Sequence, residues 1–237
     1  MNSRAIQSNI AIYYLAEYAS AKNPGIDFVC LESSTNQPAT QQLAEILTHE
    51  PNLLAISCYI WNIEATSRLC SDLKKVAPDI KILLGGHEVS HDPKTYIENG
   101  ICDFVITGEG EIPFAKFLRY LQGYSKIEDV DSLVYKTSDK LKTNPKATDL
   151  RPLDSIPSPY KGNLLKRPFI YYEVSRGCVY KCHFCLSALD RGTRFFSMER
   201  FHKDMEIILS SSRVKQVKFV DRTFNLNLKR TNQIFKY

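Results

Sequence analysis

The stretch "SRGCVYKCHFC", Ser175 to Cys185, follows the strand-like run "FIYYEVS" and sets three cysteines at C-x3-C-x2-C spacing. Structural zinc takes four Cys or His ligands, commonly as two paired knuckles. Here the run supplies Cys178, Cys182 and Cys185 and then stops, and no second C-x2-C pair occurs elsewhere. His183 stands between two of the cysteines, where a strained loop would be needed to aim it inward. Three thiolates would also make an unusually electron-rich centre for activating a zinc-bound water. An iron–sulfur cubane fits better, because it takes one ligand per iron and three cysteines leave one iron open to an outside ligand. Gly177 lets the backbone turn sharply as it leaves the strand. Phe184 offers an aromatic face to a flat ligand such as adenine.

Working outward, 237 residues suffice for one large domain or two small ones, and 43% hydrophobic with 24% charged residues is ordinary for a soluble globular protein. No apolar run is long enough to span a bilayer, and "MNSRAIQSNIAIYYL" lacks the order of a secretory signal. The composition predicts a cytoplasmic protein with no membrane partner. Net charge is +5, with basic residues scattered and densest at Lys215, Lys218, Arg222, Lys229 and Arg230. That distribution reads as a solvated face rather than a nucleic-acid footprint. Of the seven cysteines, Cys30, Cys58, Cys70 and Cys102 are dispersed, and Cys30 and Cys58 sit in apolar runs as small buried hydrophobes. The clustered three point to metal or catalysis before disulfides.

Upstream, helices and strands alternate. "IAIYYLAEYASAK", "ATQQLAEILTHE", "NIEATSRLCSDLKKVAP" and "IPFAKFLRYLQG" read as helices, with "KTYIENG" as a short one. "IDFVCLE", "LLAISCYI", "IKILLGG" and "CDFVITG" read as strands, the second buried on both faces. This order predicts a Rossmann-like (flavodoxin-like) α/β domain over residues 1–125, a parallel sheet with helices on both faces. Such a chain normally opens with a strand, whereas here the helix begins within a few residues of Met1. Either the chain is shortened or a neighbouring strand fills the central gap. Residues 126–168 read as a hairpin, "SLVYKTSDKLKTN" turning at Ser138-Asp139, and a Pro-rich linker, "DLRPLDSIPSPYKGN". Residues 169–237 read as a second, incomplete unit: strand, cysteine loop, helix "MERFHKDMEIILSSS", strand "VKQVKFVD" and the start of another helix.

A strand followed by S-R-G-C-x3-C-x2-C, a helix and a strand resembles the opening of the radical S-adenosylmethionine (SAM) (β/α) partial barrel. The resemblance implies that Cys178, Cys182 and Cys185 hold a [4Fe–4S] cluster whose open iron takes SAM. One-electron reduction would then yield a 5′-deoxyadenosyl radical. Phe184 matches the aromatic that lies against the SAM adenine. "GGHEVS" and "DFVITGEGEIPF" resemble the cobalamin-binding domain of B12-dependent radical SAM proteins, with Gly85-Gly86 after one strand and Gly108-Glu109-Gly110-Glu111 after the next. "SCYIWNIE" and "VKFVDRTFN" point to the subgroup with a C-terminal domain of unknown function, DUF4080.

Ligands of an open parallel sheet sit at the carboxyl ends of its strands. Ser57, Tyr59, Gly85, Gly86, Gly108, Glu109 and Gly110 fall at such ends and are the candidate cobalamin contacts. The glycines would let a flat corrin approach the backbone. The D-x-H-x-x-G motif that supplies a lower-face histidine in many cobalamin domains is absent, and His87 and His91 read as bystanders. Asp221 and Asn225 either face the SAM pocket or cap the following helix. The resemblance implies a cobalamin-dependent radical SAM enzyme performing methyl transfer or related radical chemistry on an unknown substrate. A one-electron reductant such as flavodoxin or ferredoxin would be its partner. Because the family continues beyond Tyr237, a truncated non-catalytic cobalamin or iron–sulfur module is the main alternative. A radical SAM tRNA methylthiotransferase is a third, and it would need three further cysteines in the N-terminal domain.

Overall fold

Alternation in "KILLG" sends Ile82 and Leu84 to one face of a sheet and Leu83 to the other, and this strand is the axis of the N-terminal half. A computed structural model describes residues 1–2, 8–138, 140–148, 152–185, 187 and 192–237. Asp139 of the predicted turn and residues 149–151 at the start of the predicted linker lie outside the described residues. The chain divides into two units, Met1–Asp149 and Leu150–Tyr237.

In chain order the first unit contains α1 (Ile10–Lys22), α2 (Ala39–Leu47), β1 (Leu53–Ser57), α3 (Ile63–Val76), β2 (Lys81–Gly85) and α4 (His87–His91). It continues with α5 (Pro93–Glu98), β3 (Phe104–Ile106), α6 (Glu111–Leu121), β4 (Leu133–Thr137) and β5 (Lys140–Thr143). The sheet runs β1-β2-β3-β4-β5, parallel through the first three strands and antiparallel from β3 onward. The predicted hairpin therefore completes the sheet of this unit instead of standing apart with the linker, and the sheet is mixed. Ile82, Leu84, Val105 and Val134 meet Cys70 and Leu73 of α3 in one core. Leu83, Ile106, Leu133 and Tyr135 meet Ala19 of α1 and Phe117 of α6 in another. Helices thus cover both faces, as the alternating pattern predicts.

Two strand expectations need correction. "IDFVCLE" forms no strand: among the described residues its neighbourhood is paired by a single parallel bridge, Asn2↔Ser34. A strand persists where a neighbour takes its N–H and C=O groups, and the described residues offer that at Asn2 alone. β1 is half-buried rather than buried on both faces, with Ala55 exposed. It is the edge of the sheet, flanked by β2 on one side and by no described strand on the other.

The second unit contains β6 (Phe169–Tyr172), β7 (Ser175–Cys178), β8 (Gly192–Phe195), α7 (Met198–Ser210), β9 (Gln216–Phe219) and α8 (Leu228–Lys236). β6 and β9 pair in parallel with α7 between them in sequence, a βαβ crossover. Ser197 caps α7 by accepting from the Arg200 amide at 3.0 Å, and Phe201, Met205 and Ile208 line its buried face. β7 and β8 form an antiparallel pair that the sequence reading missed.

The predicted linker is anchored in the core of the second unit by a few side chains. Leu153, Ile156, Tyr160 and Leu164 are buried, because apolar residues recur every three or four positions between its prolines. Tyr160 stacks on Tyr172 at 5.1 Å. Asp204, 2% exposed, accepts hydrogen bonds from Ser158 Oγ (2.6 Å), Tyr172 Oη (3.1 Å) and Arg200 Nε (2.7 Å). Arg200 in turn donates to the Ile156 carbonyl at 2.7 Å, which ties the Pro-rich segment to α7. A buried carboxylate is tolerable here because its lone pairs are taken.

Candidate functional site

The parallel strands of the first unit end in register. Ser57 pairs with Gly85 and Gly85 with Ile106, so the loops after β1, β2 and β3 leave the sheet at one level. This common edge gathers Ser57, Tyr59, Gly85, Gly86 and Gly108, with Glu109 and Gly110 leading into α6. It is the crevice in which ligands of open α/β sheets are held.

Each glycine there has its own cause. Gly86 has φ +106, and a Cβ on it would stand 2.5 Å from the Cys58 carbonyl oxygen. The close approach is sealed by hydrogen bonds from Cys58 N to Gly85 O (2.7 Å) and from Glu88 N to Cys58 O (3.4 Å). A Cβ on Gly110 would meet the Leu15 Cδ2 methyl of α1 at 2.9 Å, so that side chain would have to shift. Gly108 has φ +78 and nothing within 4 Å of the missing Cβ. Of the three, Gly108 is the one whose bare backbone faces open space, and it fits the expectation of a surface that a flat ligand can approach.

The loop after β1 carries an aromatic pair. Tyr59 and Trp61 stack at 4.5 Å with an interplanar angle of 5°, and the His87 ring lies 6.3 Å from that of Tyr59. Trp61 is 54% exposed. Beneath the pair, the buried Asn62 amide donates to Ser57 O and to Met1 O, both at 3.0 Å, while its Oδ1 accepts from Tyr59 N at 2.8 Å. Ser90 joins the next two loops, its Oγ donating to Gly86 O (2.7 Å) and accepting from Gly108 N (3.1 Å). Trp61, Asn62 and Ser90 were not singled out from sequence. An exposed tryptophan next to a strand end was a readable signal for the first, but the other two act through contacts that no local pattern encodes.

Three of the four dispersed cysteines are core residues, whereas Cys30, expected to be buried, is half-buried and outside both core clusters. Cys58, Cys70 and Cys102 belong to the first core, and burial pushes the thiols of Cys58 and Cys70 up to about 12 and that of Cys102 higher still. They pack as small buried hydrophobes.

In the second unit Gly177 has φ +84, a backbone state that favours glycine, immediately before Cys178 at the end of β7. The chain then turns, with Cys185 N donating to Cys182 O at 3.1 Å. Cys182 and Cys185 are exposed, Cys178 is half-buried, and no disulfide joins any of the seven cysteines. Among the described residues no three Cys, His, Asp or Glu side chains gather as ligands of a single ion. Phe184 lies in the same turn, 93% exposed.

Asp221 does not cap the helix that follows. Its carboxylate accepts from Val174 N at 3.2 Å and from Ser175 Oγ, binding the end of β9 to the β6–β7 junction, and burial raises its pKa. The cap of α8 is Asn227, which accepts from Arg230 N at 3.1 Å, so Asn225 does not fill that place.

Comparison with protein families matches residues 2–118 to the B12 binding domain. An uncharacterised methyltransferase of Pyrococcus horikoshii is 26% identical over 233 residues, covering 93% of this chain and 50% of that protein. The cobalamin-dependent radical SAM methyltransferase TokK of Streptomyces tokunonensis is 29% identical over 181 residues, covering 70% of this chain and 26% of that protein. Among solved structures, the cobalamin-dependent SAM radical enzyme OxsB, with aqua-cobalamin and SAM bound, superposes with a TM-score of 0.80 at 19% identity. That match covers 95% of this chain and 33% of OxsB. The chain thus spans between about a quarter and a half of the length of these relatives. No helix among the described residues is long and apolar enough to cross a membrane. The aligned strand ends, the glycine loops and the sequence match agree: the chain carries a B12 binding domain and is homologous to cobalamin-dependent radical SAM methyltransferases.

Proposed function

We propose that this chain binds cobalamin on its first unit and a [4Fe–4S] cluster with SAM on its second, in the service of methyl transfer to an unknown substrate. The observation that carries the reading is the register Ser57↔Gly85↔Ile106, which levels three loops into one crevice, followed in the same chain by a three-cysteine turn. When bound, the cluster and SAM would supply a 5′-deoxyadenosyl radical, and cobalamin would supply the methyl group. The chain's own groups bind and orient. Gly108 offers exposed backbone to the corrin, the Tyr59–Trp61 stack walls one side of the crevice, and Asn62 fixes the loop that bears the stack. Cys178, Cys182 and Cys185 would hold the cluster, and the exposed ring of Phe184 would lie against the adenine. A one-electron reductant of the flavodoxin or ferredoxin kind completes the scheme. A cytoplasmic setting, where thiols stay reduced, suits a chain whose seven cysteines form no disulfide.

Anaerobic reconstitution tests the second unit: about four irons and sulfides per chain, with a visible band lost on reduction, is the expected result. Stoichiometric zinc without iron would refute it. Hydroxocobalamin co-eluting with the chain on gel filtration tests the first unit independently. A second reading is a cofactor-binding module without turnover. Both cofactors bound, with no SAM cleavage under reductant, would select that reading.

A further inference from the structure

We propose that Ser90 is a positioning residue that locks the loops after β2 and β3 into one preformed surface for cobalamin, an inference that rests on the cobalamin reading above. Hydrogen-bond pairing between β2 and β3 stops at Gly85↔Ile106, one residue short of Gly86 and two short of Gly108. Beyond that point Ser90 takes over the role of the ladder. A serine in a short helix commonly bonds its own i−4 carbonyl, and the bond to Gly86 O is of that local kind. The bond from Gly108 N is not local, since it reaches from a loop eighteen residues along the chain. One hydroxyl thus uses its donor on one glycine loop and an acceptor lone pair on the other.

The two loops need such a tie for different reasons. Gly86 is held by its close approach to Cys58, so its carbonyl is a fixed anchor. Gly108 is exposed, left-handed and free of packing neighbours at its Cβ position, so side-chain contact at that position does not hold it. Hydrogen bonding to Ser90 transfers the rigidity of the first loop to the second. A surface ordered before the ligand arrives avoids the entropy of ordering on binding, and that saving appears as affinity.

The test compares the full chain with Ser90→Ala and Ser90→Thr. Amide exchange is followed at Gly108 without cobalamin, and hydroxocobalamin affinity is measured by visible titration. Ser90→Ala should speed exchange at Gly108 about tenfold and weaken hydroxocobalamin binding about tenfold, while Ser90→Thr, which keeps the hydroxyl, restores both. Unchanged exchange at Gly108 would overturn the clamp. Faster exchange spread evenly over β2 and β3 would also overturn it, by assigning Ser90 to general stability. If the wild-type chain takes up no hydroxocobalamin while the exchange difference at Gly108 persists, the cobalamin reading fails and takes the positioning role with it.

Discussion

Cys178 Sγ lies 3.3 Å from Thr223 Oγ1, so the first cysteine of the turn is met by a hydroxyl from the segment after β9. β9 pairs with β6, not with β7, and the contact therefore brings a third stretch of chain to the candidate cluster position. Facing a thiolate, the hydroxyl would donate its proton. Hydrogen bonds to cluster sulfurs favour the more electron-rich reduced state. Thr223→Val should therefore shift the midpoint potential of a reconstituted cluster to more negative values and weaken cluster retention about tenfold, while Thr223→Ser stays near wild type. Protein-film voltammetry with iron counts after gel filtration reads both effects, and identical potentials in all three proteins would remove Thr223 from the site.

The cysteines should separate by reactivity. In the metal-free, reduced chain, exposed Cys182 and Cys185 should react with iodoacetamide first. Cys58 and Cys70, buried with thiols pushed up to about 12, should react after unfolding, because the thiolate is the nucleophile. After reconstitution, Cys182 and Cys185 should be protected as well. Peptide mass mapping over time decides this, and labelling of Cys182 that is equally fast with and without iron would argue against its being a ligand.

Gly86 and Gly108 should respond differently to alanine. At Gly86 the new Cβ meets the Cys58 backbone at 2.5 Å with φ +106, which adds overlap to conformational strain. The expected loss is about 2–4 kcal/mol in urea unfolding. At Gly108 the Cβ meets nothing within 4 Å, so only the left-handed backbone is penalised, by about 1 kcal/mol. On the proposed cobalamin reading, Gly108→Ala should nonetheless weaken hydroxocobalamin binding, since it adds a methyl to exposed backbone at the strand-end edge. Equal losses of stability at the two positions would contradict this account.

Particular residues show what the sequence made legible. Ile82, Leu83 and Leu84 announce a strand with two apolar faces, and Gly85-Gly86 announces its end, because a period of two and a turn are local patterns. The cysteine spacing is equally local. Besides their local bonds, Asn62 reaches Met1 O and Ser90 accepts from Gly108 N, and no window around either residue shows those distant partners. "IDFVCLE" has strand composition but no described partner, and strand formation depends on the partner. The Pro-rich segment was read as a linker from its prolines, which outweighed the spaced Leu153, Ile156 and Tyr160 that anchor it.

Asp204 should be among the costliest side chains to remove from the second unit. Asp204→Ala would remove the carboxylate partner of Arg200, 11% exposed at its side chain, and take an acceptor from the Tyr172 and Ser158 hydroxyls. A loss of about 3–5 kcal/mol follows from leaving a buried charge unpaired, with the Pro-rich segment loosened as Arg200 shifts from Ile156 O. Thermal unfolding, together with proteolysis near Ser158, checks both, and a melting temperature within a degree or two of wild type would show that the pair contributes nothing net.

Asp221 gives a pH dependence of definite sign. Burial raises its pKa above 3.8 in the folded chain, against the opposing hydrogen bonds from Ser175 and Val174. A carboxyl with a raised folded value binds its proton more tightly when folded. Its contribution to stability is therefore fully present below about pH 3.8 and is lost as pH rises through the folded value. Asp221→Asn is uncharged at every pH and keeps an oxygen to accept from Val174 N and Ser175 Oγ. Its stability relative to wild type should accordingly improve as pH rises from about 3.8 through the folded value, and then level off. Urea titrations at matched ionic strength across that range measure the difference directly. A relative stability that falls with pH would mean that the ionised carboxylate is favoured in the folded chain, with its hydrogen bonds outweighing the burial.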